Sequence, residues 1–126
     1  MKPEGRKQAR RSALFELYRW DLAGQPPGLR AEDLDGYARD LAEAVAVEAE
    51  ALDRRISAAS DEWTADRLGT VERNVLRIAL HELAGGLVPA EVAIDEAVRL
   101  SKRYASDDAA RLVNGILGRI LREQAA

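Results

Sequence analysis

Arg6, Lys7, Arg10 and Arg11, with Lys2 ahead of them, are the side chains of this sequence best placed to do chemistry. That chemistry is recognition: guanidinium and ammonium groups neutralise phosphates, and a guanidinium plane stacks on an unpaired base. At 100° per residue, Arg6 and Arg10 fall in line with the apolar Ala13 and Leu17, while Lys7 and Arg11 flank that line on the side of Leu14 and Tyr18. The apolar stripe of the helix therefore turns cationic as it leaves the core. For Arg10, an internal ion pair with a carboxylate of residues 31–66 fits as well as an RNA contact.

A second basic group, Arg99, Lys102 and Arg103, has i, i+3 and i+4 spacing and precedes Ser106-Asp107-Asp108. Cations near a helix C-terminus also complement the dipole, and that alone accounts for them. Glu82 lies along the Val71, Val75 and Ile78 direction of its helix, where an unpaired carboxylate would be costly, so it belongs in an ion pair or an interface. Tyr18 borders the apolar stripe of the first helix, a position that is usually core.

Catalysis finds no footing. His81 is the only histidine and there is no cysteine, which removes disulfides, thiolate ligands and a nucleophile for the histidine to activate. Acidic groups such as Glu48-Glu50-Asp53 fall on helix faces with no cleft to serve. Gly85-Gly86 and the Gly115/Gly118 pair follow no strand, so they are not phosphate loops; the latter two suit close helix packing. The expectation is a non-enzyme without metal or cofactor.

The elements that position these residues are helical. A first helix runs from about Lys7 to Leu22 and breaks at Gly24-Gln25-Pro26-Pro27-Gly28. Leu41, Val45, Glu48, Leu52 and Ile56 share a long helix with an acidic exposed face, and Ser60 or Asp61 caps a short segment near Trp63. Val71 to Leu83 is apolar around most of its circumference, as suits a central helix, and Gly85-Gly86 ends it. Pro89 fits a first helical position ahead of Ala93, Ala97, Leu100 and Tyr104. Ser106 is an N-cap for a last helix whose Ala109, Leu112, Val113, Ile116, Leu117 and Ile120 line one face.

At 126 residues the chain reads as one domain, 1–126, that buries roughly two-thirds of its unfolded surface. Its net charge of −3 hides an asymmetry: residues 1–30 carry +4, residues 31–66 carry −8 and the remainder +1. A phosphate meets the local field, and the N-terminal end is basic. No apolar run approaches the ~20 residues of a membrane span, and the basic N-terminus has no apolar stretch behind it, so a cytoplasmic location is expected.

The ordered series Val75-Leu76-Arg77-Ile78-Ala79-Leu80-His81-Glu82-Leu83, Val88-Pro89, Val92-Ala93-Ile94-Asp95-Glu96-Ala97 and Val113-Asn114-Gly115-Ile116-Leu117 resembles the signature of the NusB family of transcription antitermination factors. The N-terminal Arg6-Lys7-Gln8-Ala9-Arg10 with Ala13, Leu17 and Tyr18 is similar to that family's basic first helix. Departures are His81 where Tyr is common, Ala105 for Gly, Leu112 for Phe and Gly118 for Asp.

The resemblance implies an all-α bundle of about six or seven helices in two subdomains. It also implies binding of single-stranded boxA RNA from ribosomal RNA leaders, together with the ribosomal protein NusE, within the RNA polymerase antitermination complex. On that basis Lys2, Arg6, Lys7, Arg10, Lys102 and Asp108 are RNA-binding candidates, and Tyr18 and Glu82 are NusE-binding candidates. Some members are homodimers, and both monomer and homodimer stay open. The competing expectation is a helical protein-interaction module, or the RNA-binding domain of ribosomal RNA cytosine methyltransferases, without antitermination activity of its own.

Overall fold

The structure, a computed structural model, describes residues 3–34, 36–61, 63–86 and 88–125, with side chains from residue 5 onward. Five α-helices follow in order: α1 (Pro3–Leu22), α2 (Gly36–Ala59), α3 (Thr70–Gly85), α4 (Ala90–Tyr104) and α5 (Asp107–Ala125), with a single 3-10 turn at Ala65–Arg67 before α3. The all-α class is as expected. The count is five α-helices among the described residues instead of six or seven, and the described residues between α2 and α3 hold only that one short turn.

Local chemistry accounts for most boundaries. α1 starts at Pro3, earlier than Lys7, since proline is tolerated in a first turn whose N–H groups have no intrahelical partner. It ends where Gly24, Gln25 and Gly28 take positive φ. Gly86 closes α3 in the left-handed conformation at φ 69°, and its N–H reaches the Leu83 carbonyl. Pro89 is the N-cap of α4 and not its first helical residue, so the helix begins one position later than expected, at Ala90. Ser106 caps α5 as its type suggests, its Oγ accepting from Ala109 N–H at 3.0 Å. Ser60 Oγ accepts from Trp63 N–H at 3.2 Å.

One apolar cluster draws on all five helices, including Leu14 and Leu17 of α1, Val45 and Ile56 of α2, Leu76 and Leu80 of α3, Leu100 of α4 and Val113 and Leu117 of α5. α3 packs against each of the other four, which explains why its sequence is apolar nearly all round. Gly115 and Gly118 are not close-packing points. A Cβ at Gly115 would meet nothing within 4 Å, and at Gly118 only the Arg122 side chain.

Two buried ionic groups tie α1 to its neighbours. At its C-terminal end, Asp21 accepts from Arg73 (2.8 Å), Asn74 (3.0 Å) and Arg77 (3.0 Å) of α3. Arg77 also grips Asp53 of α2 through Nε and Nη2, both at 2.7 Å. At the other end lies Arg10, whose neighbours belong to the site.

Candidate nucleic-acid interface

The basic half of α1 lies against α4, and two adjoining crevices run between them. One, of about 200 Å³, is lined by Arg6, Lys7 and Arg10 from α1 and by Val88, Pro89, Val92 and Glu96 at the start of α4. The other, of about 140 Å³, is lined by Lys7, Gln8 and Arg11 from α1 and Arg99, Arg103 and Tyr104 from α4. Lys7 borders both. Helical spacing explains the lining: Lys7 and Arg11 are one turn apart on α1, as are Arg99 and Arg103 on α4.

Electrostatics on this face favour an anion. Glu96 is the carboxylate at its floor, and Arg99 engages it with Nε at 3.1 Å and Nη2 at 2.6 Å, with Lys7 Nζ at 3.7 Å. That leaves Arg6, Arg11 and Arg103 in excess of the acid within the crevices. Tyr104 is flanked by cations, with Arg103 Nε donating to its hydroxyl at 3.1 Å. Burial lifts the Tyr104 phenol, but the Arg103 and Arg11 guanidinium groups outweigh this and hold it below the ordinary tyrosine value. Phe15 stands edge-on to Tyr104 at 5.1 Å between ring centroids. Cations interleaved with aromatic rings suit a phosphate backbone with unstacked bases.

The structure separates the sequence candidates. Lys2 lies outside the described residues. Arg6 is partly exposed; its guanidinium lies 5.0 Å over the Tyr37 ring, and its Nε is buried without a hydrogen-bond partner. Lys7 is exposed on the ridge between the crevices. Lys102 is exposed but lines neither crevice, whereas Arg99 and Arg103, expected only as its neighbours, line one. Asp108 is exposed in the first turn of α5 and paired with Arg111.

In the free chain Arg10 and Glu82 are buried against one another. Arg10 is 2% exposed, and its Nε donates to both Glu82 oxygens at 2.8 and 3.0 Å. Glu82, 4% exposed, also accepts from the Tyr37 hydroxyl. The two satisfy one another, as desolvated opposite charges must. The carboxylate Arg10 meets belongs to α3, not to residues 31–66. Among the described residues Arg10 Nη2 has no partner. Burial, then the hydrogen bond and charge of Glu82, push the Tyr37 phenol up to about 12, so it remains a proton donor near neutral pH.

Tyr18, by contrast, is 37% exposed instead of core. Phe15 at 47% and Leu22 at 62% complete an apolar ridge along α1 with steps of three and four residues. Sequence reasoning missed Tyr37, Phe15, Tyr104 and the Arg99/Arg103 lining. The i, i+4 spacing of Arg11 with Phe15 was a usable signal, whereas nothing local points to Tyr37.

A helical protein that keeps its core for packing and presents a cationic, aromatic-lined face fits the class of nucleic-acid-binding regulators. The family model described as the NusB family matches residues 7–122, and the chain belongs to that family. It is 41% identical to the transcription antitermination protein NusB of Salinispora tropica, over 91% of this chain and 93% of that protein. With the corresponding protein of Pelotomaculum thermopropionicum the identity is 35%, over 92% and 88%. Among solved structures, it superposes on antitermination factors NusB and NusE in complex with dsRNA with a TM-score of 0.82 and 32% identity, over 97% and 99% of the two chains. NusB of T. maritima gives 0.80 and 32%, over 94% and 91%. No helix of the described residues is long and apolar enough to cross a membrane.

Proposed function

We propose that this antitermination factor binds boxA-type single-stranded RNA of ribosomal RNA leaders through the α1–α4 face, together with a NusE-type ribosomal protein, and so helps assemble the RNA polymerase antitermination complex. The observation that carries the RNA reading is the crevice pair on that face, where Lys7, Arg11, Arg99 and Arg103 share one crevice with Tyr104 and Arg6 lines the other. Arg6 and Lys7 take backbone phosphates, and Tyr104 with Phe15 offers ring edges and faces to splayed bases. The exposed Lys102 and Asp108 are further candidate contacts, as is Lys2, which lies outside the described residues. The Phe15, Tyr18 and Leu22 ridge suits the protein partner, since exposed aromatic and aliphatic side chains in one row mark a docking surface. Glu82 supports that assembly from behind, by fixing Arg10.

Titration of the chain into boxA RNA, a scrambled RNA of equal length and a duplex, with and without NusE and at several salt concentrations, tests this reading. The expected result is selective binding to the single strand, tightened by NusE, with a log–log salt slope of about −0.7 per phosphate contacted. Preference for the duplex, or equal affinity for the scrambled strand, overturns the boxA assignment. Binding of NusE without RNA leaves a protein-interaction module.

A further inference from the structure

Arg6 makes no hydrogen bond or ion pair with another described residue, yet it is held: its guanidinium carbon lies 5.0 Å over the centre of the Tyr37 ring. Tyr37 comes from the first turn of α2, and the anchor for its ring comes from α3, because its hydroxyl donates to Glu82. Glu82 in turn is locked by Arg10. A chain of contacts therefore runs from the core of three helices outward to one partly exposed guanidinium.

We propose that Tyr37 is a positioning residue for RNA recognition: its ring holds the Arg6 guanidinium in place, and its hydroxyl on Glu82 holds the ring. This rests on the RNA reading above.

An arginine near a helix N-terminus has many rotamers, and ordering it on binding costs free energy that pre-ordering removes. A guanidinium held over a ring face makes its cation–π contact without using its N–H donors, and Arg6, though its Nε is buried, stays partly exposed to an anion. Arg6 also lines the crevice at the start of α4, so the held guanidinium already stands at the anion-accepting face. The alternative role for Tyr37, filling core, fits poorly with a half-buried ring whose face is given to a cation.

The test is a double-mutant cycle in the full chain with boxA-type single-stranded RNA across a salt series. Tyr37→Leu is expected to raise Kd about three- to fivefold, the size of one partly exposed cation–π contact, and to make the salt slope shallower toward that of Arg6→Ala. In the Arg6→Ala background, Tyr37→Leu should add nothing further. Tyr37→Phe, which keeps the ring and loses only the hydroxyl, should fall between wild type and Tyr37→Leu and guards against a folding defect. An equal loss from Tyr37→Leu with and without Arg6, or a salt slope that Tyr37→Leu leaves at the wild-type value, overturns the positioning role. Failure of the unaltered chain to bind the RNA overturns the RNA reading instead, and is distinguished by that measurement alone.

Discussion

The two ends of α1 carry ionic clusters built from the same parts, buried arginines and carboxylates joining α1, α2 and α3, yet they differ in how completely they are satisfied. At the C-terminal end Arg77 is fully buried, and every guanidinium nitrogen has a partner in Asp21, Asp53 or Asn74. At the N-terminal end Arg10 has Glu82, while among the described residues its Nη2 and the neighbouring Arg6 Nε have no partner. Arg6 and Arg10 also line the open crevice at the start of α4, whereas no residue of the Asp21 cluster lines either crevice. The first cluster maintains the fold. The second maintains part of the fold and presents the remainder outward.

Substitutions at the two ends should break this comparison in different ways. The largest effect is expected from Arg77→Ala, which strands Asp53, leaves Asp21 with only Arg73, Asn74 and Gln25, and should cost about 3–5 kcal/mol, seen as a fall in Tm of well over 10 °C, without changing RNA affinity below the transition. Glu82→Ala leaves Arg10 buried and Tyr37 unanchored; about 2–3 kcal/mol is expected, together with weaker RNA binding at temperatures where the chain is folded. A stability loss without any RNA effect would make the N-terminal cluster as purely structural as the other.

Acid should act through the C-terminal cluster. Burial lifts the Asp21 carboxyl, and hydrogen bonds from Arg73 and Gln25 with the charges of Arg77 and Arg73 outweigh this and hold it below 3.8. The folded state therefore binds that proton more weakly than the unfolded chain. The contribution is complete above about pH 4 and is lost as pH falls through the lowered value. Thermal melts from pH 6 to pH 3 should show this loss, and Asp21→Asn should flatten that part of the profile. The smallest effect on stability is expected from Arg6→Ala with Lys7→Ala, within about 0.5 kcal/mol by melting, while RNA affinity falls and the salt slope loses about 1.4 for the two cations. An unchanged slope would remove both from the RNA contact.

Helix chemistry was legible to different depths at different positions. The last helix follows from Ser106 and the spacing of Ala109, Val113, Ile116 and Ile120, because a cap and an apolar stripe are local properties. Glu82 was legible as a carboxylate needing a partner, since its helical direction is apolar, but its partners Arg10 and Tyr37 lie 72 and 45 residues away. Arg10 stood equally for RNA and for an ion pair, and the ion pair it makes in the folded chain, with Glu82, depends on helix packing. Arg99, Lys102 and Arg103 illustrate the same limit: three residues on one helix differ in whether they line the crevice against α1, and the rotation of α4 against α1 sets that.

Amino-acid order alone determined the helices, the single apolar cluster, the cationic start of α1 and membership of a family, because each depends on local periodicity or on an ordered series of residue types. Tertiary structure decided which cations are consumed and which are offered. Ion pairing needs two groups within about 4 Å, and contact between groups distant in sequence is fixed only when the helices pack. Arg10, Glu82 and Tyr37 meet because α1, α2 and α3 converge there, and that convergence leaves Arg6 and Lys7 facing outward.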